Sequence, residues 1–322
     1  FAINSSWAKG TLDQEPSITG NTMVKIEEKK VSILDRLSRG EILISDGATG
    51  TYLQSRGLEP GSAPEALNVS HPDLIRSMAS DYLNAGVDMV LTNSFGANRL
   101  MLGKYGYEDK TIELNMLAAQ HARSQVAHDN YVVGSVGPTG EFLEPLGEIS
   151  NADMLDVFVE QITALERGGA DAVIIETMTA LEEAELAILA TKENTDLTVM
   201  ATMTFDKGPR GFFTMMGVTP SVAAKQLQRA GADVVGTNCG NGIDAMIEIA
   251  REMRETTDAY LLVHSNAGIP AIRKGQIVYP ETPEYMAEGF RTLAEIGINI
   301  VGGCCGTTPQ HSRELFRSLR CS

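Results

Sequence analysis

The sequence predicts a single (β/α)8 barrel of the TIM type. Short apolar, β-branched runs alternate eight times with longer amphipathic segments, a pattern typical of a parallel sheet covered by helices. No linker interrupts the eight units, and 322 residues are enough for one barrel, which needs about 250. An open doubly wound sheet is the alternative, but no G-x-G-x-x-G motif follows the first strand.

Eight strands are predicted from runs of four to eight residues, a length typical of strands that are buried on both faces. In chain order they are Ile42–Ser45, Val87–Thr92, Tyr131–Val136, Ala172–Glu176, Thr198–Thr204, Asp233–Asn238, Tyr260–His264 and Ile298–Gly302. Helices are predicted at His71–Leu83, Lys110–His128, Ala152–Arg167, Leu181–Lys192, Pro220–Ala230, Ile243–Glu255, Pro283–Glu295 and Pro309–Leu319.

The ends of several helices carry recognisable capping residues. Ser70 is a suitable N-cap for the first helix, because its hydroxyl can accept a backbone N–H there. Four helices are followed by a glycine that can take the left-handed conformation at C′: Gly86, Gly169, Gly231 and Gly297. The methionines are expected to fill the barrel core or the pocket wall, including Met178, Met203, Met215 and Met216.

Composition excludes several classes of partner. The formal net charge of −16 weighs against nucleic acid and against an anionic membrane surface, and no run reaches the roughly 18 apolar residues of a membrane span. Four cysteines, two of them adjacent, are too few for a disulfide scaffold, so a reducing, cytoplasmic setting is expected. Residues 1–23 are polar and aperiodic and are interpreted as a leader or disordered extension, which leaves 24–322 as the barrel domain.

Polar residues follow the carboxyl ends of the predicted strands, where barrels of this type carry their reactive groups. No comparable set is apparent at the opposite strand ends. The residues concerned are Asp46 and Gly47 after the first strand, Asn93 and Ser94 after the second, Glu176 in the fourth, Asn238 in the sixth and His264 in the seventh. We expect these side chains to surround one site.

Three of the four cysteines also lie at this end, namely Cys239 after the sixth strand and Cys304 and Cys305 after the eighth. Three thiolates suit Zn²⁺ better than Mg²⁺ or Ca²⁺, and catalytic zinc commonly keeps three protein ligands and one open position. The glycines beside the pair allow a tight turn that directs adjacent side chains at one ion. Buried structural thiols are the alternative. The sequence therefore predicts a catalytic zinc site.

Two carboxylates and a histidine are further candidates. Asp46 and Glu176 are placed to meet a cationic group such as a substrate ammonium, the alternative being that each caps the following helix. His264 is interpreted as a hydrogen-bonded packing residue, with a role as fourth metal ligand as the alternative.

Together these residues resemble the homocysteine S-methyltransferase family, and most closely the homocysteine-binding module of its cobalamin-dependent, methionine-forming members. The resemblance runs from about Ile42 to Leu319, and its most specific part is the Gly302–Pro309 segment, G-G-C-C-G-T-T-P, combined with a distant single cysteine. The other matching segments are Asp46–Thr51, Leu91–Ala97, Gly137–Gly140, Ile175–Thr177, Thr237–Cys239 and Asn266–Gly268.

The resemblance implies a (β/α)8 barrel in which Cys239, Cys304 and Cys305 hold zinc and the substrate thiol is ionised at the open position. It implies that Asp46 and Glu176 receive the amino group of homocysteine. The backbone amides around Asn93–Phe95 would receive its carboxylate, and Gly47, Ser94 and Asn238 lie in the same matching segments. Methylation of the thiolate would yield methionine.

The resemblance leaves the methyl donor open. A corrinoid such as methylcobalamin would come free or on a partner protein, whereas betaine or S-methylmethionine would need no partner. Ser265 stands where the family pattern has proline, and Gly240-Asn241-Gly242 form a glycine-rich loop that is expected to be more flexible than the family's. Two other readings remain: a demethylase that passes a methyl group to a corrinoid protein, and a zinc-storage barrel without catalysis.

Overall fold

The computed structural model describes residues 30–273 and 276–321, and its central feature is an eight-stranded parallel sheet. The strands are β1 Leu43–Ile44, β2 Met89–Leu91, β3 Tyr131–Val136, β4 Ala172–Met178, β5 Thr198–Met203, β6 Val234–Asn238, β7 Tyr260–Ser265 and β8 Ile300–Gly303. Their order is β1-β8-β7-β6-β5-β4-β3-β2, and all neighbours are parallel. The predicted (β/α)8 barrel is confirmed; the predicted extension at 1–23 lies outside the described residues.

Side-chain carboxylates complete the seam between β1 and β2. A single parallel bridge joins Ser45 to Met89 across this seam. Asp88 Oδ2 accepts the N–H of Ile44 at 2.8 Å, and Asp46 Oδ2 accepts the N–H of Leu91 at 2.8 Å. The two carboxylates thus replace strand-to-strand hydrogen bonds where β1 is short.

All eight predicted helices are present among the described residues. Their bounds are Pro72–Leu83, Thr111–Arg123, Asn151–Arg167, Leu181–Asn194, Pro220–Arg229, Ile243–Arg254, Pro283–Ile296 and Pro309–Arg320. Shorter helical segments lie at Ile33–Ser38, Thr49–Gln54, Pro64–Ala66, Leu67–Ser70, Arg99–Gly103 and Glu108–Lys110. None of the described helices is both long enough and apolar enough to cross a membrane.

Two helix ends differ from the prediction. Ser70 is not an N-cap, because it ends the short helix Leu67–Ser70 and its hydroxyl donates to the Ala66 carbonyl at 3.1 Å; the N-cap is His71. The helix predicted to reach His128 stops at Arg123. There the Ser124 hydroxyl donates to the His121 carbonyl at 2.7 Å and the chain turns toward β3.

The N-terminal end of the barrel is filled by a helix that sequence patterning did not predict. Ile33 and Leu37, from the six-residue helix Ile33–Ser38, are 2 % exposed. They pack in one cluster with inward-facing strand residues, namely Leu43, Met89, Tyr131, Val133, Ala172, Ile174, Met200, Val234, Leu262 and Ile300. The Tyr131 hydroxyl fixes this segment by donating to the Val31 carbonyl at 2.8 Å.

Toward the other end of the barrel, the interior becomes polar. Because side chains alternate across a strand, positions two residues apart face the same side. Counting two residues on from Leu43, Val133, Ile174, Met200 and Leu262 gives Ser45, Ser135, Glu176, Thr202 and His264, all of them buried. This layer is the floor on which the candidate site is built.

The same turn precedes each even-numbered strand and places a polar side chain at the amino end of that strand. The expectation that the amino ends of the strands carry no comparable set of polar residues was therefore wrong. Each preceding helix is followed by a left-handed glycine, at Gly86, Gly169, Gly231 and Gly297, with φ between 91° and 106°. Two residues later comes Asp88, Asp171, Asp233 or Asn299, whose side chain accepts a backbone N–H of the preceding strand at 2.8–2.9 Å. The predicted left-handed conformation is confirmed at all four glycines, although Gly297 is itself the C-cap and Gly86 lies two residues past the C-cap Asn84.

Two β-hairpins project from the carboxyl side of the barrel. Asp206–Gly208 pairs with Gly211–Phe213 after β5, and Ala271–Arg273 pairs with Gln276–Val278 after β7. Met178 and Met203 are fully buried as predicted. The prediction was wrong for Met215 and Met216, which follow the first hairpin and are 66 % and 40 % exposed.

Candidate active site

The three predicted cysteines meet at the carboxyl end of the barrel. Cys239 directly follows β6, while Cys304 and Cys305 directly follow β8, and only β7 separates these strands. Their sulfur atoms all lie within 4.8 Å of one another, and the sulfurs of Cys239 and Cys305 are 3.8 Å apart. The barrel therefore brings together residues that are 66 positions apart in sequence.

Backbone conformation directs these side chains toward one point. Cys239 has a positive φ of 61°, and its N–H donates to the His264 carbonyl at 3.1 Å. The Cys304 N–H donates to the Ser265 carbonyl at 2.7 Å, so both arms of the cluster are anchored to β7. A non-glycine residue in the left-handed region costs about 1–3 kcal/mol and persists only where the surrounding structure enforces it.

The arrangement fits a Zn²⁺ ion. Zn–S bonds of about 2.3 Å in a tetrahedron place two sulfur atoms about 3.8 Å apart, which is the separation of Cys239 and Cys305. Asn266 Oδ1 is buried without a hydrogen-bond partner among the described residues, and the Asn266 side chain interacts with the Cys239 thiol. Three soft sulfur donors suit zinc better than a hard cation.

The three cysteine thiols of the cluster differ in the direction of their pKa shifts. Hydrogen bonds from Cys304 and Cys305 lower the pKa of the Cys239 thiol, and a backbone hydrogen bond at Gly240 lowers it further. Sharing with Cys239 raises the pKa of the Cys304 thiol and that of the Cys305 thiol. Within the cluster, negative charge is therefore favoured at Cys239 over Cys304 and Cys305.

Glu176 faces a cavity of about 440 Å³ that the three cysteines also line. Its Oε1 accepts the Ser135 hydroxyl at 2.5 Å, and its Oε2 accepts the Asn238 amide at 3.1 Å. Burial raises the pKa of Glu176 to about 7, the bond from Ser135 opposes this rise, and the nearby Cys239 adds to it. No cation among the described residues pairs with this carboxylate, so it is available for a ligand cation.

Asp46 lies behind the cavity wall formed by Gly47 and Leu91. It is 3 % exposed and caps no helix, since its Oδ2 accepts the Leu91 N–H. Burial raises the pKa of Asp46 to about 8, the bond from Leu91 opposes this, and the neighbouring Glu176 carboxylate raises it further. The neutral forms of the two acids are therefore favoured until a ligand cation approaches them.

Asn238 holds Glu176 in place. Besides its bond to Glu176, its Nδ2 donates to Thr177 Oγ1 at 2.8 Å, and its Oδ1 accepts the Thr202 hydroxyl at 2.8 Å and the Thr177 N–H at 2.7 Å. Thr177 has a positive φ of 62°, which this double contact stabilises. Sequence reasoning missed Ser135 and Thr202, although the two-residue alternation from Val133 and Met200 indicates both.

In the loop after β2, several backbone carbonyl oxygens accept hydrogen bonds from neighbouring residues. Asn68, Gln161 and Asn115 donate side-chain N–H groups to the carbonyls of Asn93, Ser94 and Ala97 at 2.8–2.9 Å, and the Gly137 N–H donates to the Phe95 carbonyl at 2.9 Å. Asn93 and Phe95 line the cavity, and their own N–H groups donate to no described residue. This loop thus presents two unpaired donors to an anion.

Packing and hydrogen bonds fix the positions of the remaining predicted residues. The Ser94 hydroxyl donates to the Ser135 carbonyl at 2.7 Å, so Ser94 is fully buried beneath the loop. A Cβ atom at Gly47 would lie 2.6 Å from Thr307 Oγ1, which makes glycine necessary there. The Gly240-Asn241-Gly242 loop is packed against its neighbours, because Asn241 Nδ2 donates to the Phe205 carbonyl at 2.6 Å and a Cβ on Gly242 would lie 2.0 Å from Glu281.

His264 lines the cavity but does not belong to the cysteine cluster. Burial lowers its pKa to about 4, so the ring is neutral. Its Nε2 is buried and has no hydrogen-bond partner among the described residues, which differs from the hydrogen-bonded packing residue that was predicted.

Comparison with known proteins agrees with this geometry. The sequence profile of the homocysteine S-methyltransferase family matches residues 43–319. The chain is 34 % identical over 310 residues to methionine synthase from Mycobacterium tuberculosis and 33 % identical over 314 residues to that from Mycobacterium leprae. These matches cover 89 % and 90 % of this chain, which spans about a quarter of the length of each relative (25 %).

Solved structures confirm the fold. The metallated form of the homocysteine methyltransferase MmuM from Escherichia coli superposes with a TM-score of 0.72 at 22 % identity, covering 87 % of this chain and 96 % of that one. Since the profile covers most of the chain and two relatives exceed 30 % identity, the matches extend well beyond the cysteine motif. The chain therefore belongs to the homocysteine S-methyltransferase family.

Proposed function

We propose that this chain is a zinc-dependent methyltransferase that binds homocysteine as its thiolate and methylates it to methionine. The observation that carries the proposal is the cluster of Cys239, Cys304 and Cys305 at the wall of a cavity that also holds the unpaired carboxylate of Glu176. The relatives named methionine synthase support this choice of reaction.

The cysteines would hold Zn²⁺, which, when bound, supplies the positive charge that keeps a substrate thiol ionised at neutral pH. The chain would favour this by lowering the pKa of Cys239 and by fixing both arms of the cluster to the β7 backbone. The metal is therefore expected to displace protons from Cys304 and Cys305 alone.

The cavity has complementary groups for both ends of an amino acid. Glu176 would accept the ammonium group, whose positive charge would also favour the ionised form of Asp46 behind the wall. The unpaired N–H groups of Asn93 and Phe95 would donate hydrogen bonds to the carboxylate. These two anchors orient the substrate, so that its thiol reaches the cysteine cluster rather than another part of the cavity.

The donor is the open part of the proposal, and the curated relatives favour a corrinoid. Both relatives are about four times longer than this chain, so a methyl carrier on another domain or partner protein is consistent with their length. Transfer in the opposite direction, from a methylated substrate to a corrinoid protein, uses the same cluster. A donor screen with homocysteine separates them: methylcobalamin, betaine, S-methylmethionine and methyltetrahydrofolate are supplied in turn.

Zinc content and methyl transfer in cysteine variants test the mechanism. Cys304→Ala should lose bound zinc and methyl transfer and keep the circular dichroism spectrum of the wild type. Cys321→Ala is the matched control, since Cys321 is exposed and lies outside the cluster. Full activity of zinc-free Cys304→Ala contradicts the mechanism. Zinc bound without any response to homocysteine, as seen by X-ray absorption at the zinc edge, favours the storage reading.

A further inference from the structure

His264 belongs to the polar layer inside the barrel, but its side chain makes no hydrogen bond to a described residue. Its ring is 2 % exposed and borders the cavity. The other members of the layer all have side-chain hydrogen-bond partners, namely Ser45, Ser135, Thr202 and Glu176. Buried polar groups are nearly always paired, so an unpaired ring at a cavity wall indicates a place for a ligand.

Strand pairing places His264 between the two buried acids. On one side, His264 is in register with Asn238 of β6, so both side chains point into the barrel, and Asn238 donates to Glu176 Oε2 at 3.1 Å. On the other side, His264 is in register with Gly302 of β8. A Cβ atom on Gly302 would lie 2.9 Å from His264 Cδ2 and 3.1 Å from the Asp46 carbonyl oxygen. The ring therefore occupies the wall between Glu176 and Asp46.

The two ring nitrogens of His264 differ in their access to the cavity. Nε2 is enclosed by protein, whereas Nδ1 is neither enclosed nor hydrogen-bonded to a described residue. Since the ring borders the cavity, Nδ1 is the nitrogen that a ligand can reach. A neutral imidazole has one N–H donor and one acceptor nitrogen, so Nδ1 accepts a hydrogen bond when Nε2 carries the proton.

The surroundings of His264 favour an ammonium group as the donor of that hydrogen bond. An ammonium group has three N–H donors, so it can bond to the Glu176 carboxylate and to Nδ1 at the same time. An anionic group would lie beside two carboxyl groups here. The N–H donors suited to an anion belong to Asn93 and Phe95, which follow β2, three strands away from β7 around the barrel.

We propose that His264 is a substrate-binding residue whose Nδ1 accepts a hydrogen bond from the substrate ammonium, and that it makes the site selective for thiols that carry this group. The inference rests on the proposed function and adds a third residue to the ammonium site of Glu176 and Asp46. The His264 carbonyl accepts the Cys239 N–H at 3.1 Å. The residue that meets the ammonium group is therefore fixed relative to the cluster that meets the thiol.

Two ligands and two variants test the proposal. Homocysteine and its deamino analogue 4-sulfanylbutanoate are titrated by calorimetry into zinc-loaded wild type, His264→Phe and His264→Asn. The preference for homocysteine is the ratio of the two Kd values. Phe keeps a ring and removes the acceptor, so the preference should fall about ten- to a hundredfold. Asn can place its Oδ1 near the position of Nδ1, so the preference should fall clearly less.

Zinc content and the circular dichroism spectrum are measured first, because the His264 carbonyl contacts Cys239. A wild-type protein that binds zinc but no homocysteine contradicts the proposed function and this inference with it. If the wild type binds homocysteine and His264→Phe keeps the same preference, this inference alone is wrong. An equal fall in both variants also contradicts it, because the shape of the ring rather than its nitrogen would then set the preference.

Nitrogen NMR of the wild-type protein gives a second test that does not depend on the folding of His264→Phe. The protein carries isotope-labelled histidine, and the Nδ1 signal of His264 is assigned by its absence from His264→Asn. This signal should move to lower frequency when homocysteine is added, because an unprotonated nitrogen that accepts a hydrogen bond becomes more shielded. It should stay in place with 4-sulfanylbutanoate. An equal response to the two ligands, or none to homocysteine, contradicts the proposal.

Discussion

Glu176 is buried, accepts hydrogen bonds from Ser135 and Asn238, and has no cationic partner among the described residues. Such a group is expensive to ionise until a ligand supplies positive charge. The two hydrogen bonds hold the carboxylate in one orientation. An ammonium group bound beside it would favour the ionised form and lower its pKa.

The pH dependence of stability follows from the raised pKa of Glu176, which is about 7. The neutral form of Glu176 contributes to the free energy of unfolding. This contribution is fully present below the pKa of Glu176 in the unfolded chain and is lost as the pH rises through about 7. The stability of Glu176→Gln relative to the metal-free wild type should therefore increase by roughly 2–3 kcal/mol from pH 5 to pH 8. Urea unfolding at both pH values measures this difference. A gain that is equal at pH 5 and pH 8 contradicts the assignment.

Proton release on zinc binding reports the charge state of the cysteines. Since the pKa of Cys239 is lowered and those of Cys304 and Cys305 are raised, only the last two thiols should lose protons to the metal near neutral pH. We expect about two protons per zinc ion. Calorimetry in buffers of different ionisation enthalpy counts them. Release of three protons would show that Cys239 is a thiol in the metal-free protein.

At the level of single residues, the sequence predicted groups whose chemistry is distinctive and missed those that act through position. Cysteines and carboxylates at strand ends stand out by type. Tyr279, whose ring lies where a Cβ atom of Gly306 would be, does not, because this contact depends on the hairpin that precedes it. Nor could the sequence indicate that Ser94 is turned away from the cavity, since adjacent loop residues face either side according to local hydrogen bonds.

At the level of elements, the turn with a left-handed glycine followed by Asp or Asn links the eight strands of the barrel in four pairs. In each turn, one side chain accepts the N–H of a strand residue while its own backbone N–H donates to the carbonyl of that residue, as Asp171 does with Val132. Three turns use aspartate and pair it with Arg36, Arg123 or Lys192, whereas the fourth uses Asn299. A neutral amide is therefore sufficient for the backbone contact.

This difference between turns gives a matched pair of substitutions at Asp171. Asp171→Ala leaves the Val132 N–H without its acceptor and should cost about 1–3 kcal/mol of unfolding free energy. Asp171→Asn keeps an acceptor, as Asn299 does, and should cost less than half as much. Chemical denaturation of both variants tests this turn. Equal losses would mean that the ion pair with Arg123, rather than the backbone contact, is the stabilising part.

At the scale of the whole molecule, the two ends of the barrel have separate roles. Leu37 and Ile33 fill the amino end with apolar side chains, while the polar layer and the cysteines occupy the carboxyl end. Leu37→Ala should leave a cavity and cost about 2–5 kcal/mol. Zinc affinity should not change, because additivity holds for distant sites. A weakened zinc affinity in correctly folded variant protein would show that the two ends are coupled.

The barrel was predictable because its signals are local and repeated eight times, as in the Gly231 turn before β6. The helix that fills the amino end of the barrel was not predictable, because Ile33–Ser38 spans fewer than two turns and helices of that length gain stability only from packing. The hairpins were missed for a similar reason. Three-residue strands such as Ala271–Arg273 are too short to establish an alternation of apolar and polar side chains.

The carboxylate of Asp46 connects barrel closure to the cavity. One of its oxygens completes the seam by accepting the Leu91 N–H, and the same group lies behind the wall of the cavity, next to Glu176. Transient opening of the ring between β1 and β2 must therefore disturb the region that a substrate ammonium would occupy. By thermodynamic linkage, a ligand that binds only the closed ring must hold it closed. The exchange of the Leu91 amide hydrogen with deuterated solvent should then slow as the cavity fills, and Leu91 would report occupancy from within the barrel wall.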